Sequence, residues 1–155
     1  MINNNDNIIL NIAIITNNIK KVKLLLIDNI NINIDINFQN NNNNTALILA
    51  CKYECNIEII KILLEYKDIN INLQNNNNDT ALSIVYNNNN IEVVKLLLKH
   101  KNININLQNN TNEDIKKLLE EYKQNNKLIN NIVNVCITQE MIGNKQFKIN
   151  FIINE

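Results

Sequence analysis

The sequence predicts an all-α fold: an α-solenoid of about four helix-turn-helix repeats with extended fingers, followed by a short C-terminal segment. Three observations predict it. The string TAL occurs at Thr45–Leu47 and again at Thr80–Leu82, a step of 35 residues. IEIIKILLEY at Ile57–Tyr66 returns as IEVVKLLLKH at Ile91–His100, a step of 34. ININLQNN begins at Ile69 and again at Ile103, also a step of 34. A biased composition would give runs of Asn and Ile. It would not give the fixed order TAL, then IExxKxLL, then NxQN.

Each element of the unit has a physical reading. Thr80 is placed to cap a helix, its hydroxyl accepting from an amide two or three residues on. Ala81–Tyr86 follow as a short helix with apolar Leu82, Ile84 and Val85. Asn87–Asn90 interrupt it, Asn being the best substitute for Gly where the chain turns left-handed. A second helix is predicted from Ile91 to about Lys99, with Ile91, Val94, Leu97 and Leu98 on one apolar face. Glu92 and Lys95 stand three apart on the polar face. Ile103-Asn-Ile-Asn-Leu then alternates apolar and polar, which predicts an extended finger. Neither helix can bury its apolar face alone, so such units must stack in series.

The 155 residues carry 15 Lys+Arg and 15 Asp+Glu, and all the basic residues are Lys. No strong field draws the chain to nucleic acid or an acidic membrane, and Arg forks for phosphate recognition are missing. Asn and Ile dominate with 41 and 31 residues. Their AT-rich codons account for that bias without a mechanism. A prion-like Asn tract is the rival reading. Cys51, Cys55 and Cys136 are too few and odd in number for a disulfide framework and suit a reduced cytoplasmic or nuclear compartment. No signal peptide or membrane span is predicted.

These motifs resemble the ankyrin repeat. That family reads T-P-L-H-x-A in its first helix, G-H-x-E-V-V-K-L-L-L across its second, and D-V-N in its finger. TALILAC (45–51) and TALSIVY (80–86) match the first, NIEIIKILLEY and NIEVVKLLLKH the second, and NININ the finger with one residue inserted. Ile8–Leu26 aligns without a gap onto Thr80–Leu98 as a first repeat lacking its Thr cap. TNEDIKKLLEEY fits a degenerate last repeat, Thr111 and Asp114 resembling a capping box. The resemblance implies an array over residues 1–123, with repeats at about 3–39, 40–74 and 75–108 and a cap at 109–123. The family's Pro is replaced by Ala46 and Ala81, its His by Ile48 and Ser83, and its finger Gly by Asn43 and Asn78. Lower stability than a consensus array is expected.

The resemblance also implies a function: a non-catalytic module that binds a partner protein on a concave groove and its finger tips. Lys52, Tyr53, Asn87 and Asn88 would sit at the ends of the first helices. Gln39, Asn42, Asn44, Gln74, Asn77, Asp79 and Gln108 would line the same groove from the fingers. The bland alternative for the Asn residues is exposure without a role. Tyr53 stands out because aromatics are enriched at binding hot spots.

Catalytic chemistry finds little support. His100, the single histidine, ends a helix where a cation suits the dipole, and no nucleophile or orienting acid accompanies it. Cys51 and Cys55, four apart as on one helical face, fall short of the ligands zinc needs; Cys51 stands where the family has a small Ala. With one Gly in the chain, no phosphate loop is available. No metal or cofactor is expected, and the chain is expected to be a monomer. Residues 124–155 admit two readings, a closing helix at 128–136 or a hairpin turning at Gly143-Asn144. Two other functions remain open, an Asn-rich self-associating protein and a regulatory or targeting fragment of a larger enzyme.

Overall fold

The computed structural model describes residues 4–28, 34–105, 117–125 and 127. It divides into two compact units, Met1–Leu118 and Leu119–Glu155. Among the described residues the chain is entirely helical and turn-forming, with no strand. Of the second unit, residues 119–125 and Lys127 are described and helical. The expected readings of 128–155, of Gln108 and of the Thr111–Asp114 box lie outside the described residues.

The first unit is a stack of three helix pairs. They are α1 (Asn4–Ile15) with α2 (Ile19–Lys23), α3 (Ala46–Lys52) with α4 (Ile57–Glu65), and α5 (Ala81–Asn87) with α6 (Ile91–Leu98). A π-helical turn, Leu24–Asp28, continues α2. α1 packs on α3 and α3 on α5, while α2 lies against α4. Of the face predicted for the second helix, Val94, Leu97 and Leu98 of α6 are buried while Ile91 is half-buried, and Val93 is buried beside them; in α4 Ile59, Ile60 and Leu63 are buried. Each such side chain removed from water contributes about 1.5–3 kcal/mol, so the stacking of pairs dominates stability.

Short helices need good ends. Thr45 and Thr80 cap α3 and α5, accepting from the amides of Ile48 and Ser83. Ser83, standing in for the family's His, closes a reciprocal capping box by accepting from the Thr80 N–H at 2.8 Å. Asn18, Asn56 and Asn90 cap the second helices. The turn between helices passes through a left-handed residue in every pair: Asn17, Glu54 and Asn89, at φ 52°, 50° and 56°. Asn43 and Asn78, in the Gly position of the fingers, are left-handed too. α1 departs from the expected start. Ile8 occupies the capping position, offers no acceptor, and the helix runs on to Asn4.

The unequal steps of 35 and 34 residues have a local cause. In the first and third pairs one Asn both closes the turn and caps the next helix; Asn18 N–H donates to Ala13 O, and Asn90 N–H to Val85 O. In the second pair Cys55 closes the turn onto Ala50 O and Asn56 caps. Cys55 therefore lies in the turn beyond α3 and does not share a helical face with Cys51.

The fingers correct one expectation. Ile34 and Ile36, then Ile69 and Ile71, are buried, as the alternation implies. Yet the segments are chains of tight turns with no extended pairing. The intervening Asn and Asp side chains accept from backbone amides two residues on, at Asp35, Asn40, Asn70 and Asn75. These local bonds compete with a strand ladder and win.

Candidate functional site

The finger Asn and Gln side chains serve the fold more than the surface. Asn37 reaches the next finger, accepting from Asn70 N–H at 2.8 Å and donating to Asp68 O at 2.9 Å. One repeat on, Asn72 does the same with Asn104 N–H at 2.9 Å and Asn102 O at 2.7 Å. Gln39 donates to Asn43 O and across to Gln74 O, and Gln74 donates to Asn78 O. Asn75 donates to the Asn44 side chain at 3.1 Å in a buried contact. The result is a polar ladder from finger to finger.

The proposed contact residues therefore fall into groups. Asn44 is 4% exposed and spends its side chain on Asn75, so it faces inward. Both amide protons of Gln39 are engaged within the fingers. Asn42 and Asn77 are exposed at the finger tips and Asp79 half-buried. Lys52, Tyr53, Asn87 and Asn88 are exposed where α3 and α5 end, Tyr53 by 51%. Asn88 donates weakly to Glu54 of the preceding pair, at 3.4 Å.

A recess outside the expected set lies at the first repeat. A groove of about 370 Å3 runs between α1 and the first finger, lined by Ile8, Asn11, Ile12, Ile15, Phe38, Asn40, Asn41 and Asn42. It contains no charged residue. Of the expected set, only Asn42 lines it. The sequence carried a signal for it: Ile8, Ile12 and Ile15 recur at helical spacing opposite the stripe of Leu10, Ala13 and Ile14, making α1 apolar on two sides. A helix that packs only one of two apolar sides leaves the other for something else.

The two described thiols are free and chemically quiet. Burial pushes Cys51 up to about 12, with nearby Cys55 adding to it. Burial also raises Cys55, whose Sγ donates to Ile14 O at 3.1 Å, a bond across to the first pair. A raised thiol is a poor nucleophile and metal ligand. Among the described residues no group of three or more His, Cys, Asp or Glu could hold a metal ion.

A family model described as ankyrin repeats (3 copies) matches residues 10–109. No curated protein matches the sequence. Among solved structures, similarity is found to a chain in that of a predatory endopeptidase from Bdellovibrio bacteriovorus in complex with an immunity protein. The identity is 32% and the TM-score 0.55, over 68% of this chain and 51% of that one. This chain thus spans about half the length of the solved chain it matches.

Proposed function

The chain belongs to the ankyrin-repeat family, and from that premise we propose that it is a non-catalytic module that binds a partner protein at the groove between α1 and the first finger. One observation carries the choice of groove: Ile8, Ile12 and Ile15 stand exposed beside Phe38, rimmed by Asn and free of charge. Apolar anchors with a few polar groups around them are the usual make-up of a protein-binding surface. The similar solved structure is itself a complex of two proteins, which supports a protein as the ligand. Balanced charge and the lack of Arg argue against nucleic acid.

The expected helix-end residues Lys52 and Tyr53 form a second contact point in this reading, and Asn42 belongs to the groove. In this reading the binding array is the stretch matched by the ankyrin-repeat model, residues 10–109. Free buried thiols favour a reducing, cytoplasmic or nuclear setting. Among the described residues no helix is long and apolar enough to cross a membrane.

The test is affinity capture from the native cell with mass spectrometry, comparing the wild type with Ile8→Ser/Ile15→Ser and with Tyr53→Ala. A specific protein held by the wild type and lost by the Ile double variant supports the groove. Enrichment of no protein, or equal recovery by all three, rejects it.

A further inference from the structure

We propose that the groove between α1 and the first finger takes an extended, uncharged peptide segment of the partner, clasped through its main chain by the side-chain amide of Asn11. This occupant presupposes that the groove is the binding surface, as proposed above.

Asn11 lines the groove and is only 8% exposed. Its side-chain amide has no hydrogen-bond partner among the described residues. Buried amides are normally paired, so one left unspent points to a missing partner. Asn7, one turn earlier on the same face of α1, is the contrast. Its Oδ1 accepts from Asp35 N–H at 3.0 Å, and its spare Nδ2 is sealed from solvent. The Asn11 amide is not sealed in that way. The space it can reach is the groove it lines. In the other two pairs the fold absorbs the matching position. Ile48 is buried there in the second pair, and Ser83 completes the capping box of α5 in the third. On the opposite wall, Asn40 Oδ1 is already spent on the amides of Asn42 and Asn44. Asn11 serves no such purpose.

The chemistry of an unspent carboxamide narrows what fills the groove. It offers one acceptor and a donor side by side. In an extended chain the N–H and C=O of one residue point the same way, as they do in a hydrogen-bonded strand pair. One such residue satisfies both halves of the amide. A helix uses its own N–H and C=O internally and cannot. A purely apolar ligand would cover the amide and leave it unpaired, binding at least about fivefold more weakly for that reason.

The remaining walls fit the same segment. Side chains flanking the clasped residue fall on one side of an extended chain. There they would meet Ile8, Ile12 and Ile15 of α1 and Phe38 of the finger. The groove, about 370 Å3, has no charged residue in its lining, so a charged side chain entering it would lose water without gaining a partner.

NMR titration of the full-length chain with acetyl-Leu-Ala-Leu amide tests this. Binding should be weak, with a dissociation constant on the order of 1 mM, and should shift the side-chain NH2 signal of Asn11. The analogue with lactic acid in place of Ala, which turns one N–H into an ester oxygen, should bind at least about fivefold more weakly. So should benzene, which has no peptide group. Asn11→Leu should bind peptide and ester equally, and Tyr53→Ala should behave as the wild type. Should Asn11→Leu lose its fold, the ester comparison on the wild type decides alone. No shift at about 10 mM peptide overturns the proposal. So does an ester or benzene that binds as tightly as the peptide, or a preference for the peptide that survives Asn11→Leu. If capture from the native cell loses a protein with Ile8→Ser/Ile15→Ser but keeps it with a folded Asn11→Leu, the groove stands as the binding surface and the main-chain clasp is overturned.

Discussion

Removing the Asn ladder should weaken the stack by an amount that can be worked out. Asn37 makes two hydrogen bonds to the neighbouring finger, at 2.8 and 2.9 Å, and Asn72 makes two more, at 2.9 and 2.7 Å. All four lie on the solvent side, where water replaces part of what is lost. Each bond is then worth the low end of the usual range, about 0.5 kcal/mol, or about 1 kcal/mol per Asn→Ala. The two sites sit in different finger contacts, so Asn37→Ala/Asn72→Ala should cost about 2 kcal/mol. That is a large share of the 5–15 kcal/mol typical of a domain. In urea, with a slope of about 1.5 kcal/mol/M, the midpoint should fall by about 0.7 M for one substitution and about 1.3 M for both. Asn77→Ala is the control. Asn77 is exposed at a finger tip, and its N–H donates to the Asn75 side chain, a bond that alanine keeps. Single shifts below about 0.2 M, or an equal shift for Asn77→Ala, would refute the view that the amides hold fingers together. A shallower slope in the double variant would mean that pairs have begun to unfold separately.

Glu54 stands left-handed at φ 50°, where a non-Gly, non-Asn residue costs about 1–2 kcal/mol, so Glu54→Asn should raise the melting temperature by several degrees; an unchanged or lower value contradicts the strain. Thr80→Ala deletes the cap of α5 and half its capping box, and equilibrium unfolding should show a loss of about 1 kcal/mol. Cys51, pushed up to about 12 by burial, favours the folded state below the ordinary thiol range; that stability is lost as pH climbs from about 9 towards 12. Alkaline unfolding of Cys51→Ala should accordingly begin at higher pH than that of the wild type, and coincident curves would show that the thiol does not titrate the fold. In a Cys136→Ser background, Cys51 and Cys55 should resist iodoacetamide at pH 8 until urea unfolds the chain, as counted by mass spectrometry.

The helix pairs were readable because their signals are local. Thr80 as a cap, Asn87–Asn90 as a break and Val94, Leu97 and Leu98 as a buried face need nothing beyond spacing along the chain. The ladder was not readable. An amide side chain has no preferred partner in sequence, and the Asn37–Asn70 and Asn75–Asn44 bonds exist only once two fingers lie side by side. For the same reason Asn44, placed among surface residues from the motif, turns out to be buried. The fingers looked extended because alternation reports which side chains are buried, not which backbone bonds are made. At the groove the spacing of Ile8, Ile12 and Ile15 was present throughout, but in an Ile-rich chain an additional apolar stripe hardly stands out from the background.

The abundance of Asn takes on a physical meaning here. A chain with one Gly and no Pro must make its turns from other residues. Asn17, Asn43, Asn78 and Asn89 supply the left-handed backbone that Gly would otherwise provide. Asn18, Asn56 and Asn90 cap helices. Asn37, Asn72 and Asn75 bind one repeat to the next. Fibre formation through Asn tracts requires amides free to stack on those of other chains. In the folded unit many of them are already committed, so that route opens only on unfolding. Asn37→Ala/Asn72→Ala should therefore promote fibres by raising the unfolded population, and thioflavin fluorescence no higher than that of the wild type would refute the link.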